Sequence, residues 1–358
     1  MPTPAMRIAY LGQMADVSHE NGIGKKIAAQ GKSWLHAGHA VRYFSLTPTT
    51  KVWPGLAPLE ADLVARGGAT QRMLRSFELV RRIRAWQPHL IYFRYGYHSA
   101  GLPALFRDIP TVAELNSDDL KEYPLTLSRA KQLYHRLTRG RVLSPVAGFV
   151  PVTHELETRF AGFCKPAEVI ANGIALDAFP QAPVPAAGAP LRLVFIGSRD
   201  TPWHGLERVA EIGTLFPEAI VDVIGTEKVP APANVVFHGE LPRTKYEPLL
   251  LGATAALGTL GLFRKHMDEA CPLKVREYLA LGLPVLGGYR DTDIPDSADY
   301  FLRVPNDSAP LAPQRRRIAH WLEHWRTRRV PRADVAHLDN AVKEKRRLDF
   351  LHRLVPSS

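Results

Sequence analysis

The sequence predicts an α/β protein of two doubly wound domains, and three observations carry that prediction. The chain has 358 residues, so two domains of about 150 to 200 residues each are expected. Short apolar runs rich in β-branched or aromatic residues alternate with longer amphipathic segments, the rhythm of buried parallel strands joined by helices. A proline-rich stretch, residues 179–190, interrupts that rhythm near the middle and suits neither helix nor central strand.

In the first half, residues 8–11, 41–44, 90–93, 111–115 and 148–152 read as strands, with helical stretches at 24–36, 71–86 and 128–143. A second strand series runs through residues 191–196, 219–224, 235–237, 255–257 and 284–287. The predicted division is therefore a first domain over residues 1–178, a linker over 179–190 and a second domain over 191–333. Residues 334–354 read as one charged amphipathic helix with apolar Val335, Leu338, Val342, Leu348 and Leu351, expected to pack back on the first domain.

Composition narrows the function classes. Apolar residues make up 46% and charged residues 23%, a globular balance that excludes a disordered or collagen-like chain. Cys164 and Cys271 are the two cysteines, too few for a disulfide framework and without zinc-ligand spacing. The first residues lack a charged head followed by a long apolar run, and no stretch approaches about 18 apolar residues, so a cytoplasmic protein is expected. Net charge is +11, with most of the basic excess in the first 180 residues. Such a surface attracts phosphate, on a diphosphate substrate or a lipid head group. No recognised nucleic-acid reading motif accompanies the charge, so a nucleic-acid partner is not expected. Arg72, Arg75, Arg81, Arg82 and Arg84 alternate with Leu74, Phe77, Leu79, Val80 and Ile83, a basic amphipathic helix. That pattern fits an anionic inner-membrane surface as well as a solvated outer face.

The segment richest in chemistry is Glu269-Ala-Cys-Pro-Leu-Lys-Val-Arg-Glu277-Tyr-Leu-Ala-Leu-Gly-Leu-Pro284. A helix starting near Pro272 leaves the amides of Leu273 and Lys274 unbonded within the helix, a seat for phosphate. Glu277, one turn on, can accept hydrogen bonds from vicinal ribose hydroxyls. Glu269, in the preceding loop, can reach the hydroxyls of a transferred sugar. Gly282 ends the helix before the next strand.

This segment resembles the donor-binding signature of retaining glycosyltransferases of family four, which have the GT-B fold: two Rossmann-like domains facing a central cleft. The resemblance implies that Glu269 addresses the donor sugar and Glu277 the ribose, with no cofactor beyond the nucleotide-sugar substrate. Residues 169–174 and 195–205 resemble the family's entry into the second domain and its loop under the donor diphosphate. Within the latter, Gly197 permits close backbone approach, Ser198 offers a hydroxyl and an amide, and Arg199 or His204 supplies positive charge. Residues 234–239, then Tyr246 and Leu250, resemble the nucleotide-base region. The implied acceptor is a glycan or lipid-linked glycan of surface polysaccharide synthesis. A nucleotide-sugar epimerase, or a binding subunit without transferase activity, remains open.

In the first domain, Gly22 and Gly24 follow the first strand, where the resemblance places a glycine loop facing the donor phosphates. Many relatives carry a sugar-contacting histidine after the fourth strand; here Glu114 and Asn116 stand there and take the expected catalytic place. Asp291 and Asp293 invite a metal reading, but the resembling family uses no such ion and none is expected.

Overall fold

The computed structural model describes residues 4–12, 17–186, 188–198 and 201–355. Unit 1 holds the chain up to Ala171 together with the segment from Asn340 onward, and unit 2 holds Asn172–Asp339.

Unit 1 is built on six parallel strands, β1 (Arg7–Gly12), β2 (Ala40–Thr47), β3 (Glu60–Ala65), β4 (Leu90–Arg94), β5 (Thr111–Leu115) and β6 (Gly148–Pro151). They lie in the order β3-β2-β1-β4-β5-β6. Helices α1 (Gly22–His36), α2 (Ala69–Trp86), α3 (Leu102–Asp108), α4 (Asp119–Thr126), α5 (Arg129–Leu143) and α6 (His154–Phe160) connect them. Ile8, Tyr10, Leu90, Tyr92 and Val112 are fully buried, as expected of strands covered on both faces. β3 escaped the sequence reading because Glu60 and Asp62 interrupt its apolar run, a pattern its edge position tolerates. Asn21 starts α1 by accepting a hydrogen bond from the Gly24 amide at 2.8 Å.

Unit 2 repeats the plan with β7 (Arg192–Ile196), β8 (Ile220–Ile224), β9 (Val235–Gly239), β10 (Ala255–Leu257), β11 (Glu269–Ala270), β12 (Val285–Gly287), β13 (Arg290–Asp291) and β14 (Phe301–Arg303). Its main sheet runs β14-β12-β10-β7-β8-β9, and β11 pairs with β13 separately. Helices α7 (Leu206–Leu215), α8 (Arg243–Leu251), α9 (Leu273–Ala280) and α10 (Arg315–Trp325) complete it. Each sheet reverses its winding beside its own first strand, between β1 and β4 and between β7 and β10. Open α/β sheets hold ligands at the carboxyl ends of such strands.

The proline-rich stretch 179–190 belongs to unit 2, where the Ala182 amide reaches Leu281 O at 2.8 Å and Arg329 grips Pro183 O at 2.8 Å. The single terminal helix expected over 334–354 is divided at Asp339. Arg332–Leu338 forms a 3₁₀ segment in unit 2, and α11 (Asn340–Leu354) belongs to unit 1. Asp339 causes the break, because its carboxylate accepts the Leu176 amide at 3.1 Å and holds the chain extended there. Leu348, Phe350 and Leu351 of α11 join the core of unit 1, whereas Val342 is exposed. Among the described residues no helix is long and apolar enough to cross a membrane.

Candidate functional site

The crevice of unit 2 begins in the turn after β7. Gly197 is required there by close packing, since a Cβ on it would come within 2.2 Å of Thr226 Cγ2 in the turn after β8. The Ser198 amide, next along, donates to His204 Nδ1 at 3.1 Å. His204 closes a 3₁₀ turn, Pro202–His204, whose end is bent by Gly205 at φ +72°. Because Nδ1 accepts, the ring proton sits on Nε2. Burial, with Lys274 and Lys265 nearby, pushes the imidazole pKa down to about 2. His204 is therefore a neutral donor, not the positive charge expected from sequence. Arg199, the other expected cation of this loop, lies outside the described residues.

The second wall is α9. Pro272 is extended (φ −64°, ψ 138°), and the helix starts at Leu273. The amides of Leu273 and Lys274 stand in the first turn, where no intrahelical carbonyl is available. Val275 and Arg276 already turn inward, both donating to Pro272 O. Lys274 Nζ is buried, has no hydrogen-bond partner among the described residues, and lies 3.8 Å from the Phe195 ring centroid. Burial holds its pKa well below the ordinary lysine value. His204 packs edge-on against the same ring at 5.8 Å, so Phe195 carries both groups. Glu277 is half-buried and accepts from Tyr246 Oη of α8 at 3.2 Å. Glu269 is half-buried on β11, at the entrance to α9.

Two buried contacts fix where α9 sits. Tyr278 Oη accepts the Ile196 amide at 2.7 Å, tying the helix to the end of β7. Arg276, fully buried, donates to both oxygens of Asp291 at 2.7 and 2.8 Å and through Nε to Asn172 O at 2.7 Å. Arg276 is thus the internal brace of the segment. Asp291 is occupied by the same contact.

In unit 1 the expected residues fall at the carboxyl ends of β1 and β5. Gly22 opens α1, and the Gly24 amide is taken by Asn21. Glu114 is fully buried, which corrects the expectation that its carboxylate meets substrate. Oε1 lies 2.9 Å from Lys26 Nζ and accepts from Tyr92 Oη at 2.8 Å. Oε2 accepts from Arg94 at 3.2 Å and Asn116 Nδ2 at 3.0 Å. Asn116 Oδ1 in turn accepts from Lys26 Nζ at 3.0 Å. Half-buried Asn116 and Arg94 reach solvent; Glu114 positions them.

Arg347 of α11 lies 3.8 Å from Glu114 and donates to Tyr92 Oη at 2.8 Å, so the terminal helix completes this network. Burial alone would raise the Glu114 pKa, but Lys26, Arg347 and Arg94 hold it well below the usual carboxylate range. Its stabilising contribution is present above the unfolded glutamate value, about pH 4.3, and is lost as pH falls toward the depressed folded value. Glu114→Gln should cost unit 1 about 3 kcal/mol near neutral pH, since Lys26 and Arg94 lose their counter-charge, whereas Arg347 keeps Glu344 at 2.9 Å. Urea titrations across pH should show the gap between parent and variant closing in acid. A gap that is constant with pH would contradict this.

No protein-family model and no curated protein sequence matches the chain. Solved structures match it over nearly its whole length. The apo form of the lipopolysaccharide outer core galactosyltransferase WaaB is 10% identical with a TM-score of 0.68, covering 97% of this chain and 99% of that one. Anabaena Alr3699/HepE in complex with UDP-glucose is 13% identical with a TM-score of 0.68, covering 98% and 100%. WaaG, a glycosyltransferase involved in lipopolysaccharide biosynthesis, is 13% identical with a TM-score of 0.63, covering 96% and 99%. The fold is GT-B, with two Rossmann-like domains.

Proposed function

We propose that the chain is a glycosyltransferase that takes its sugar from a nucleotide-sugar donor of UDP or GDP type, held at the β7–α9 crevice of unit 2. The observation that carries this reading is Lys274, whose buried Nζ has no hydrogen-bond partner among the described residues and is set in the first turn of a helix. An anion there would gain the ammonium and the first-turn amides of Leu273 and Lys274 together. Glu277, one turn further, suits the ribose hydroxyls, which would share or replace its Tyr246 contact. The UDP-glucose complex of HepE supports this reading of the donor.

In this reading the diphosphate is neutralised by Lys274, amides and the loop of Gly197, Ser198 and Arg199, without a cofactor or metal ion. His204 contributes a neutral Nε2–H. Glu269 orients the sugar; within unit 1, Asn116, seated by Glu114, is the proposed catalytic contact, and Gly22 and Gly24 are the proposed phosphate contacts. The reaction retains anomeric configuration: the departing phosphate receives the proton of the attacking acceptor hydroxyl, so no strong general base is needed. Catalysis rests on stabilising the charge that develops on the leaving diphosphate. The acceptor is a glycan or lipid-linked glycan, and the protein works on the cytoplasmic side of the inner membrane.

Glu277→Ala should weaken binding of the matching nucleoside diphosphate about 10- to 100-fold, the worth of hydrogen bonds to a charged group. Glu269→Ala should slow transfer more than it weakens that binding. Calorimetric titration with UDP and GDP, followed by transfer assays with and without a chelator, checks both. Unchanged affinity in the first variant and unchanged rate in the second would reject the site. Activity lost to chelator and restored only by a divalent ion would reject the metal-free reaction.

A further inference from the structure

Unit 1 presents two apolar stripes to solvent. Met73, Leu74 and Phe77 on α2 are exposed, and so are Leu133, Tyr134 and Leu137 on α5. Both trios follow the spacing i, i+1, i+4, which gathers each on a single helix face. Leu74 is 67%, Phe77 51% and Leu137 71% exposed. α2 already buries Ser76, Leu79, Val80 and Ile83 on its inner side, so its outer trio is not part of the core.

The two stripes belong to one surface. α3 lies against both α2 and α5. The turn leading into it touches both trios: a Cβ on Gly101 would meet Phe77 Cδ1 at 3.1 Å, and His98 Nδ1 shares a hydrogen bond with Tyr134 Oη at 2.7 Å.

The charge around these stripes is predominantly positive. α2 carries five arginines and one glutamate, Glu78, which Arg75 and Arg82 engage at 2.7 and 2.6 Å. α5 carries four arginines and a lysine with no acidic residue. Arg139 is tied to Asp119 at 2.7 Å, whereas Arg129, Lys131, Arg136 and Arg141 are exposed, as are Arg72 and Arg81 of α2.

We propose that this face of unit 1 docks the protein on an anionic lipid bilayer. The two trios enter the boundary between head groups and acyl chains, and the flanking arginines and lysine bind lipid phosphates. Large apolar side chains on outward helix faces, flanked by exposed cations, are what interfacial helices use; affinity scales with buried apolar area and with charge near the surface. The proposal goes beyond the donor-site reading and does not rest on it, since no nucleotide takes part.

The test is co-sedimentation of the full chain with vesicles of phosphatidylcholine alone and of phosphatidylcholine with phosphatidylglycerol. The protein should pellet with the anionic vesicles and not with the neutral ones. Leu74→Ser with Leu137→Ser should lower the partition coefficient about tenfold or more, from lost apolar burial. Arg72→Gln with Arg136→Gln should lower it by a similar factor, as added salt should. The arginine pair, changed only at exposed positions, keeps the test decisive if the serine pair fails to fold. Failure to pellet, equal pelleting with neutral vesicles, or parent-like partition of either folded variant overturns the proposal. Dimers in sedimentation velocity that the serine pair abolishes would also overturn it, assigning the face to a second copy of this chain.

Discussion

Arg276→Met is expected to destabilise unit 2 by about 3 to 5 kcal/mol, the cost of leaving a buried carboxylate without its partner. Arg276 and Asp291 have no exposed side-chain surface, and the guanidinium meets both carboxylate oxygens in a fork while its Nε holds the Asn172 carbonyl. Methionine keeps the approximate length and removes every donor. Asp291 is then a buried anion, and the Asn172 carbonyl loses its bond as well. Asp291→Asn should cost less, because the cation keeps the Asn172 carbonyl and has Asp293 at 3.6 Å. Arg276→Met combined with Asp291→Leu should recover most of the loss, since both desolvation penalties disappear together. Denaturant unfolding of the parent and these three variants measures the differences. Single variants within about 1 kcal/mol of the parent would show that the pair contributes little. The effect should reach the donor site, because Arg276 sits between Lys274 and Glu277 and seats the helix that carries both.

That brace also marks the limit of what the sequence reveals. The strands of both sheets stand out because their buried faces require continuous apolar runs, and β3 and β14 are missed because one mixes acids into its run and the other spans three residues. Glu269, Leu273, Lys274 and Glu277 are legible together because they lie on one short segment. Their surroundings are not: Phe195 comes from β7, Tyr246 from α8 and Asp291 from β13, and no local spacing announces contacts made across a sheet.

Charged residues are misread for the same reason. Arg276, Arg347 and Glu114 look solvated or ligand-facing by residue type, yet each is buried against a partner brought in from another element, Asp291 for Arg276, Glu114 beside the local Glu344 for Arg347, and Lys26 for Glu114. Asp339 shows the converse. One side-chain bond to the Leu176 amide ends a helical pattern that periodicity alone would continue.

Lys274→Met should separate stability from binding. In the free protein its Nζ is desolvated beside Phe195 and makes no hydrogen bond among the described residues, so methionine should leave stability unchanged or raise it by about 1 kcal/mol. Affinity for the matching nucleoside diphosphate should fall about 100-fold, because a charge-assisted bond to phosphate is lost in a buried setting. The pH dependences should run in opposite directions. A lysine whose folded pKa is depressed opposes folding while it is charged, so the parent gains stability as pH rises from that depressed value toward the unfolded value of about 10.4. A bound phosphate stabilises the ammonium and raises its pKa, so binding takes up a proton and affinity falls as pH rises through the same window. Calorimetry in buffers of different ionisation enthalpy reads the proton uptake, and Lys274→Met should abolish it. A variant that binds the nucleotide as tightly as the parent, with the same proton uptake, would remove Lys274 from the site.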